Sequence, residues 1–175
     1  MSSEKINAYL GLIGDLEDKL DSINAIVLKV LPLGAEVENC SGKIPEERLM
    51  ALAGYLHHFY TGIEDVLARI IKTVDGYLPG AGDWHGELLY IGSRKTPGKR
   101  PPVISADMHE ILNEYKAFRH LYRHAYAREL RWRKMDHLVL GMGQVWSSFQ
   151  GSIRNFIVFL REVIDELDNQ PETPH

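Results

Sequence analysis

The run HLVLGMGQVWSSFQGSIRNFIVFLREVIDELD, residues 137–168, decides the fold class. Leu138, Met142, Val145, Trp146, Phe149, Ile153, Phe156, Leu160, Val163, Ile164 and Leu167 return at three- and four-residue steps. That spacing lines them up on one face of a long α-helix. After it, residues 169–175 hold two prolines and read as a frayed tail. Before it, residues 128–136 are densely charged, with Trp132 among them, and turn a corner. The helix upstream of that corner opens at Ser105, a good N-cap, and buries Met108, Ile111, Leu112, Tyr115, Phe118, Tyr122 and Ala125.

Further out, two more stripes follow the same period. Pro45-Glu46-Glu47 suits a helix start, and an apolar face from Leu49 to Val74 carries that helix to about residue 77, where Gly76 and Leu78-Pro79-Gly80 end it. From about residue 3 to 31 a stripe from Ile6 to Val30 forms the first helix, with Pro32 expected to stop it and residues 33–44 to link onward. Residues 79–104 are different, being rich in glycine and proline; only Trp84 to Ile91 can form a short helix there. No segment alternates convincingly as a strand. The expectation is an all-α protein: an antiparallel four-helix bundle with a long irregular connection over 79–104 and a short fifth helix. Neither side of that connection is long enough for a core of its own, so residues 1–168 are read as a single domain.

Composition narrows the function classes. With 175 residues, 45% hydrophobic and 25% charged, the chain can bury one core. Cys40 is its only cysteine, so no intrachain disulfide forms and a reducing, cytoplasmic setting is expected. The polar start Met1 to Lys5 is not a signal peptide, and no apolar run is long enough for a membrane span. There is no CxxC or Cys/His zinc pattern, no phosphate-binding glycine loop and no repeat. His57, His58 and His85 lack a Glu/Asp/Cys set to complete a metal site, and are read as surface or core histidines; no metal ligand is assigned. The net charge of −4 argues against nucleic acid, but its distribution does not. Residues 94–134 hold eleven basic and four acidic residues, leaving nine and twenty for the remainder. A basic segment on an acidic body suits a phosphate-attracting surface, and equally a solvated helix face with a basic loop.

Within that segment lies the chemistry. Arg119-His120-Leu121-Tyr122-Arg123-His124-Ala125-Tyr126 packs two arginines, two histidines and two tyrosines into little more than two turns. Arginine offers a permanent charge and a planar fork for phosphate; histidine moves protons near neutral pH. Arg119 and His124 are five positions apart, about 140° around an ideal helix. They cannot easily aim at one atom from a straight helix. A bend, a helix end, or a twofold dimer joining two copies of the run relieves that constraint. An ion pair with Glu114 is the ordinary alternative for Arg119.

Arg119-x4-His124-Ala125-Tyr126 resembles the RX4HXY signature of the HepT family, a branch of the HEPN superfamily of helical ribonucleases. The stretch HHFYTGIED, His57 to Asp65, is similar to the second-helix segment of these proteins, and the helix order agrees. The resemblance implies a HEPN-like domain working as a homodimer: a metal-independent endoribonuclease toxin with no cofactor of its own. By position, Arg119 and His124 would be catalytic, with His120 and Arg123 in support. Tyr126 would be the residue to which an MntA-like minimal nucleotidyltransferase antitoxin, using ATP and magnesium, attaches AMP. The family often has Asn or Asp after the arginine; His120 stands there instead. The long 79–104 connection also exceeds the compact family pattern. On these terms His124 takes the 2′-hydroxyl proton of RNA and arginine stabilises the phosphate. The alternative is a non-catalytic HEPN-like interaction module that binds a nucleotidyltransferase or a nucleotide.

Overall fold

Each apolar stripe becomes a helix that buries it. The computed structural model describes residues 2–80, 84–124 and 130–169; the side chains of Ser2, Arg123 and His124 lie outside the description, as does all of Tyr126. Five α-helices follow in order: α1 (Ser2–Glu38), α2 (Glu46–Ile70), α3 (Trp84–Gly92), α4 (Ala106–His124) and α5 (Asp136–Asp168). Among the described residues no strand forms, only an isolated antiparallel bridge between Thr96 and Arg100.

Helix α1 packs mainly on α5 and α2, and α2 packs on α4. The pairs that cross between them show antiparallel neighbours. Lys19 reaches Asp65 at 2.9 Å and Arg69 meets Asp15 between α1 and α2. Trp146 donates to Asn24 at 2.9 Å and Arg161 pairs with Glu17 at 3.2 Å between α1 and α5. Leu16, Val30, Leu52, Phe59, Ile63, Leu67, Phe149, Ile153 and Leu160 are fully buried in the shared core. Two glycines set how closely the helices lie. A Cβ on Gly34 would stand 2.5 Å from Val139 Cγ1, and one on Gly62 would stand 2.7 Å from Ile23 Cγ1.

Pro32 does not end α1, contrary to the expectation. The helix runs six residues further, to Glu38, with Pro32 inside it. An internal proline costs about 3 kcal/mol through a missing hydrogen bond and a clash with the carbonyl four residues back. Leu28, which carries that carbonyl, lies on the exposed face of α1, 63% exposed. Val37 beyond the proline is buried, and Gly34 lies against α5. Packing on both sides of Pro32 outweighs the local penalty, so the linker shrinks to residues 39–45.

Helix α2 starts after Pro45 with Glu46 and Glu47 in its first turn, and continues through a π-helical turn, Ile71–Asp75. Gly76 stops it at φ 83°, a left-handed conformation that glycine adopts without strain. The Ser105 hydroxyl caps α4 by accepting the Met108 N–H at 3.1 Å. Between α4 and α5, a 3-10 turn at Trp132–Lys134 makes the corner, and Trp132 donates to Glu38 at 2.8 Å.

The connection between α2 and α4 is built around one buried ion pair. Asp75 and Arg100 both have side chains that are 0% exposed. Arg100 donates to the two Asp75 oxygens at 2.8 to 3.2 Å, and to the carbonyls of Arg94, Pro101 and Ile91. Thr96 also donates to Asp75 at 3.2 Å, and Lys99 donates to the Asp75 carbonyl. Gly98, at φ 72°, closes the tight turn between Thr96 and Arg100. The Val103 N–H then bonds the Gly92 carbonyl at 2.8 Å, which fastens the segment back onto α3. This removes Arg100 from the basic surface read in the sequence. Arg100 is an internal strut, and Arg94 lies over the Tyr90 ring at 4.7 Å; of the cations there, Arg94, Lys95 and Lys99 are exposed.

Candidate active site

The last turns of α4 carry Arg119, His120, Arg123 and His124, and α4 reaches His124. Apolar residues one helical turn apart, Leu112, Tyr115 and Phe118, bury one face and so fix how the remaining residues are presented. Tyr122 continues that face: its ring stacks near Phe118 at 6.3 Å and lies 5.5 Å from His57 of α2. His120 and Leu121 are exposed. The side chains of Arg123 and His124 and the whole of Tyr126 lie outside the described residues.

Arg119 does not pair with Glu114. It turns inward, with its side chain 14% exposed, toward α2 and α3. Its Nε lies 3.5 Å from Glu64 Oε2, and its NH1 lies 3.1 Å from His85 Nε2. The other ring nitrogen of His85, Nδ1, is 2.6 Å from Glu64 Oε1. Three helices therefore converge: Glu64 from α2, His85 from α3 and Arg119 from α4. Trp84, next to His85, lies against its ring with centroids 4.1 Å apart.

The hydrogen bonds assign the protons. Arginine has donors only, so its NH1 donates and His85 Nε2 must present a lone pair. His85 Nδ1 then carries the hydrogen and donates it to Glu64. Glu64 is 2% exposed. Burial raises its pKa above the usual carboxylate value of 4.5, while His85 and then Arg119 work in the opposite direction, with the Tyr60 hydroxyl adding to them.

That shift has a consequence for stability. The folded protein holds the Glu64 proton more tightly than the unfolded chain does, so the stability it contributes is present below the unfolded value and is lost as pH rises through the raised folded one. A glutamine cannot ionise. Relative to wild type, the melting temperature of Glu64→Gln should therefore rise as pH is taken from about 4 to about 7 across the carboxylate range. Thermal denaturation at both ends of that range measures it. A relative fall with pH would mean that the Arg119 and His85 contacts, and not burial, govern the carboxylate.

Glu64 and His85 were not legible as site residues. Glu64 sits in the His57–Asp65 segment but reads there as one more polar helix position. In sequence His85 reads as a surface or core histidine, and its partners lie 21 and 34 residues away. Among the described residues no group of three or more His, Cys, Asp or Glu side chains is placed to hold a metal ion. No described helix is long and apolar enough to cross a membrane.

Comparison with curated proteins and with solved structures finds no match. A family model does match. It describes a HepT-like protein and covers residues 51–160, which is more than half of the chain. The matched span runs from α2 into α5 and includes Glu64, His85, Arg119, His124 and Tyr126. The chain belongs to the HepT-like protein family.

Proposed function

We propose that this protein is a metal-independent endoribonuclease toxin of a HepT/MntA-type toxin–antitoxin pair. The observation that carries the proposal is Arg119: an arginine of the RX4HXY pattern held by a buried carboxylate and a histidine from two other helices. Surface ion pairs contribute little and need no such support. An arginine that must meet a phosphate with its fork correctly aimed does need it.

In this reading His124 removes the proton from the 2′-hydroxyl, the 2′-oxygen attacks phosphorus, and the bond to the 5′-oxygen breaks as that oxygen takes up a proton. Arg119, with Arg123, balances the negative charge that develops on the phosphoryl oxygens. The products are a 2′,3′-cyclic phosphate and a 5′-hydroxyl. Two copies of the chain form the working cleft, because Arg119 and His124 diverge by about 140° on one helix. No cofactor is required. The partner is an MntA-like nucleotidyltransferase that uses ATP and magnesium to place AMP on Tyr126, where a bulky anion repels the RNA backbone.

A second reading is favoured by the inward turn of Arg119 and the net charge of −4: a non-catalytic module that binds the nucleotidyltransferase or a nucleotide. Mass spectrometry of the protein after incubation with such a nucleotidyltransferase, ATP and magnesium tests the regulated-toxin proposal. One AMP is expected on Tyr126 and none on Tyr126→Phe. Modification at another residue, or none at all, would count against the assigned switch.

A further inference from the structure

The 79–104 connection carries a histidine into the one buried polar cluster that holds Arg119. We infer that His85 is the positioning residue for Arg119: its neutral ring, turned by Glu64, sets the guanidinium where an RNA phosphate is received. The consequence for cleavage rests on the ribonuclease reading above; the hydrogen bond itself does not.

Glu64 alone cannot aim the guanidinium. Arg119 Nε is buried and makes no hydrogen bond among the described residues, and its 3.5 Å separation from Glu64 Oε2 gives attraction without direction. The directed contact is the one at 3.1 Å from Arg119 NH1 to His85 Nε2. The ring in turn has little freedom. Glu64 Oε1 holds Nδ1 at 2.6 Å, and Trp84 covers the ring face. The Asp75–Arg100 clamp fastens the segment just beyond α3. Carboxylate, imidazole and guanidinium thus form a chain in which each group orients the next, the arrangement by which outer partners orient a working side chain.

The chain operates in one protonation state. A protonated His85 carries a hydrogen on Nε2, which cannot accept from Arg119 and places two cations face to face. Among the described residues, Glu64 from α2, Arg119 from α4 and the uncharged Trp84 on α3 itself face the ring, and the Tyr60 hydroxyl acts on Glu64 behind it. Holding the arginine therefore requires the Nε2 lone pair of His85.

Glutamine can donate an amide hydrogen to Glu64 and offer its oxygen to Arg119, so it can take over both contacts. His85→Gln should keep cleavage within a few-fold of wild type. Phenylalanine fills the space without the acceptor, and His85→Phe should lower kcat/KM by about a hundredfold, the cost of misplacing a working group by about an ångström. Undiminished cleavage by His85→Phe, or a loss in His85→Gln as large as in His85→Phe, would overturn the role. Long-range 15N–1H correlation spectra of the wild-type protein read the ring directly and need neither activity nor a variant that folds. The hydrogen is expected on Nδ1, and a hydrogen on Nε2 would refute the contact. Should the wild type show the Nδ1 form and cut no RNA, the ribonuclease reading fails while the Arg119–His85 contact stands.

Discussion

Arg119→Ala is expected to lower kcat/KM for RNA cleavage by about a hundred- to a thousandfold, the loss that follows removal of one preset donor to developing charge. The effect is large because Arg119 is not an interchangeable surface cation. Its side chain is 14% exposed, and it is held between α2 and α3 by Glu64 and His85. Lysine restores the charge without the planar fork and cannot donate to His85 and a phosphate in fixed directions at once. Arg119→Lys should therefore recover only a small part of the loss. The alanine variant also strips the Arg119 cation from a carboxylate that is 2% exposed, so it should melt at a lower temperature than wild type. Adding Glu64→Gln removes the stranded charge. The double variant should regain thermal stability and remain inactive. Steady-state kinetics and denaturation on the same preparations separate the two effects; activity regained together with stability would show that Arg119 matters only for folding.

The second large effect falls on stability. Arg100→Ala should cost about 3–5 kcal/mol, because it leaves Asp75 buried without a counter-charge. For a chain of this size the melting temperature should drop by on the order of 10 °C. Arg100 also satisfies the carbonyls of Ile91, Arg94 and Pro101, so the damage spreads along the connection. Replacing both members with apolar residues of similar volume, Asp75→Leu with Arg100→Met, should recover most of the loss, since no buried charge is then left alone. Thermal denaturation of the three variants measures this. A small cost for Arg100→Ala would mean that the clamp opens to water.

The helices were legible because long apolar periods survive tertiary context. The stripe from Leu138 to Leu167 anticipated α5, found at Asp136–Asp168, within a residue at its start. Ser105 and Gly76 marked their helix ends through local chemistry that neighbouring residues complete. Pro32 misled for the opposite reason. Its local penalty was readable, but the packing of Val37 and the approach of Gly34 to Val139 were not. The same division runs through the site. Arg119 stood out in a run of chemistry-bearing residues, whereas Glu64 and His85 gain meaning only when α2 and α3 meet α4. Arg100 looked like part of a basic surface because charge patterns carry no record of burial. Its partner, Asp75, is 25 residues away.

The most direct measurement is the chemistry of the cut ends. Single-stranded RNA is incubated with the purified protein in excess chelator, and the fragments are analysed by mass spectrometry. Ends bearing 2′,3′-cyclic phosphate, no cleavage where a 2′-deoxy sugar stands at the cut site, and loss of cleavage in His124→Ala are the predicted results. RNA left intact by wild type, or cleavage undiminished in His124→Ala, would contradict the proposed reaction.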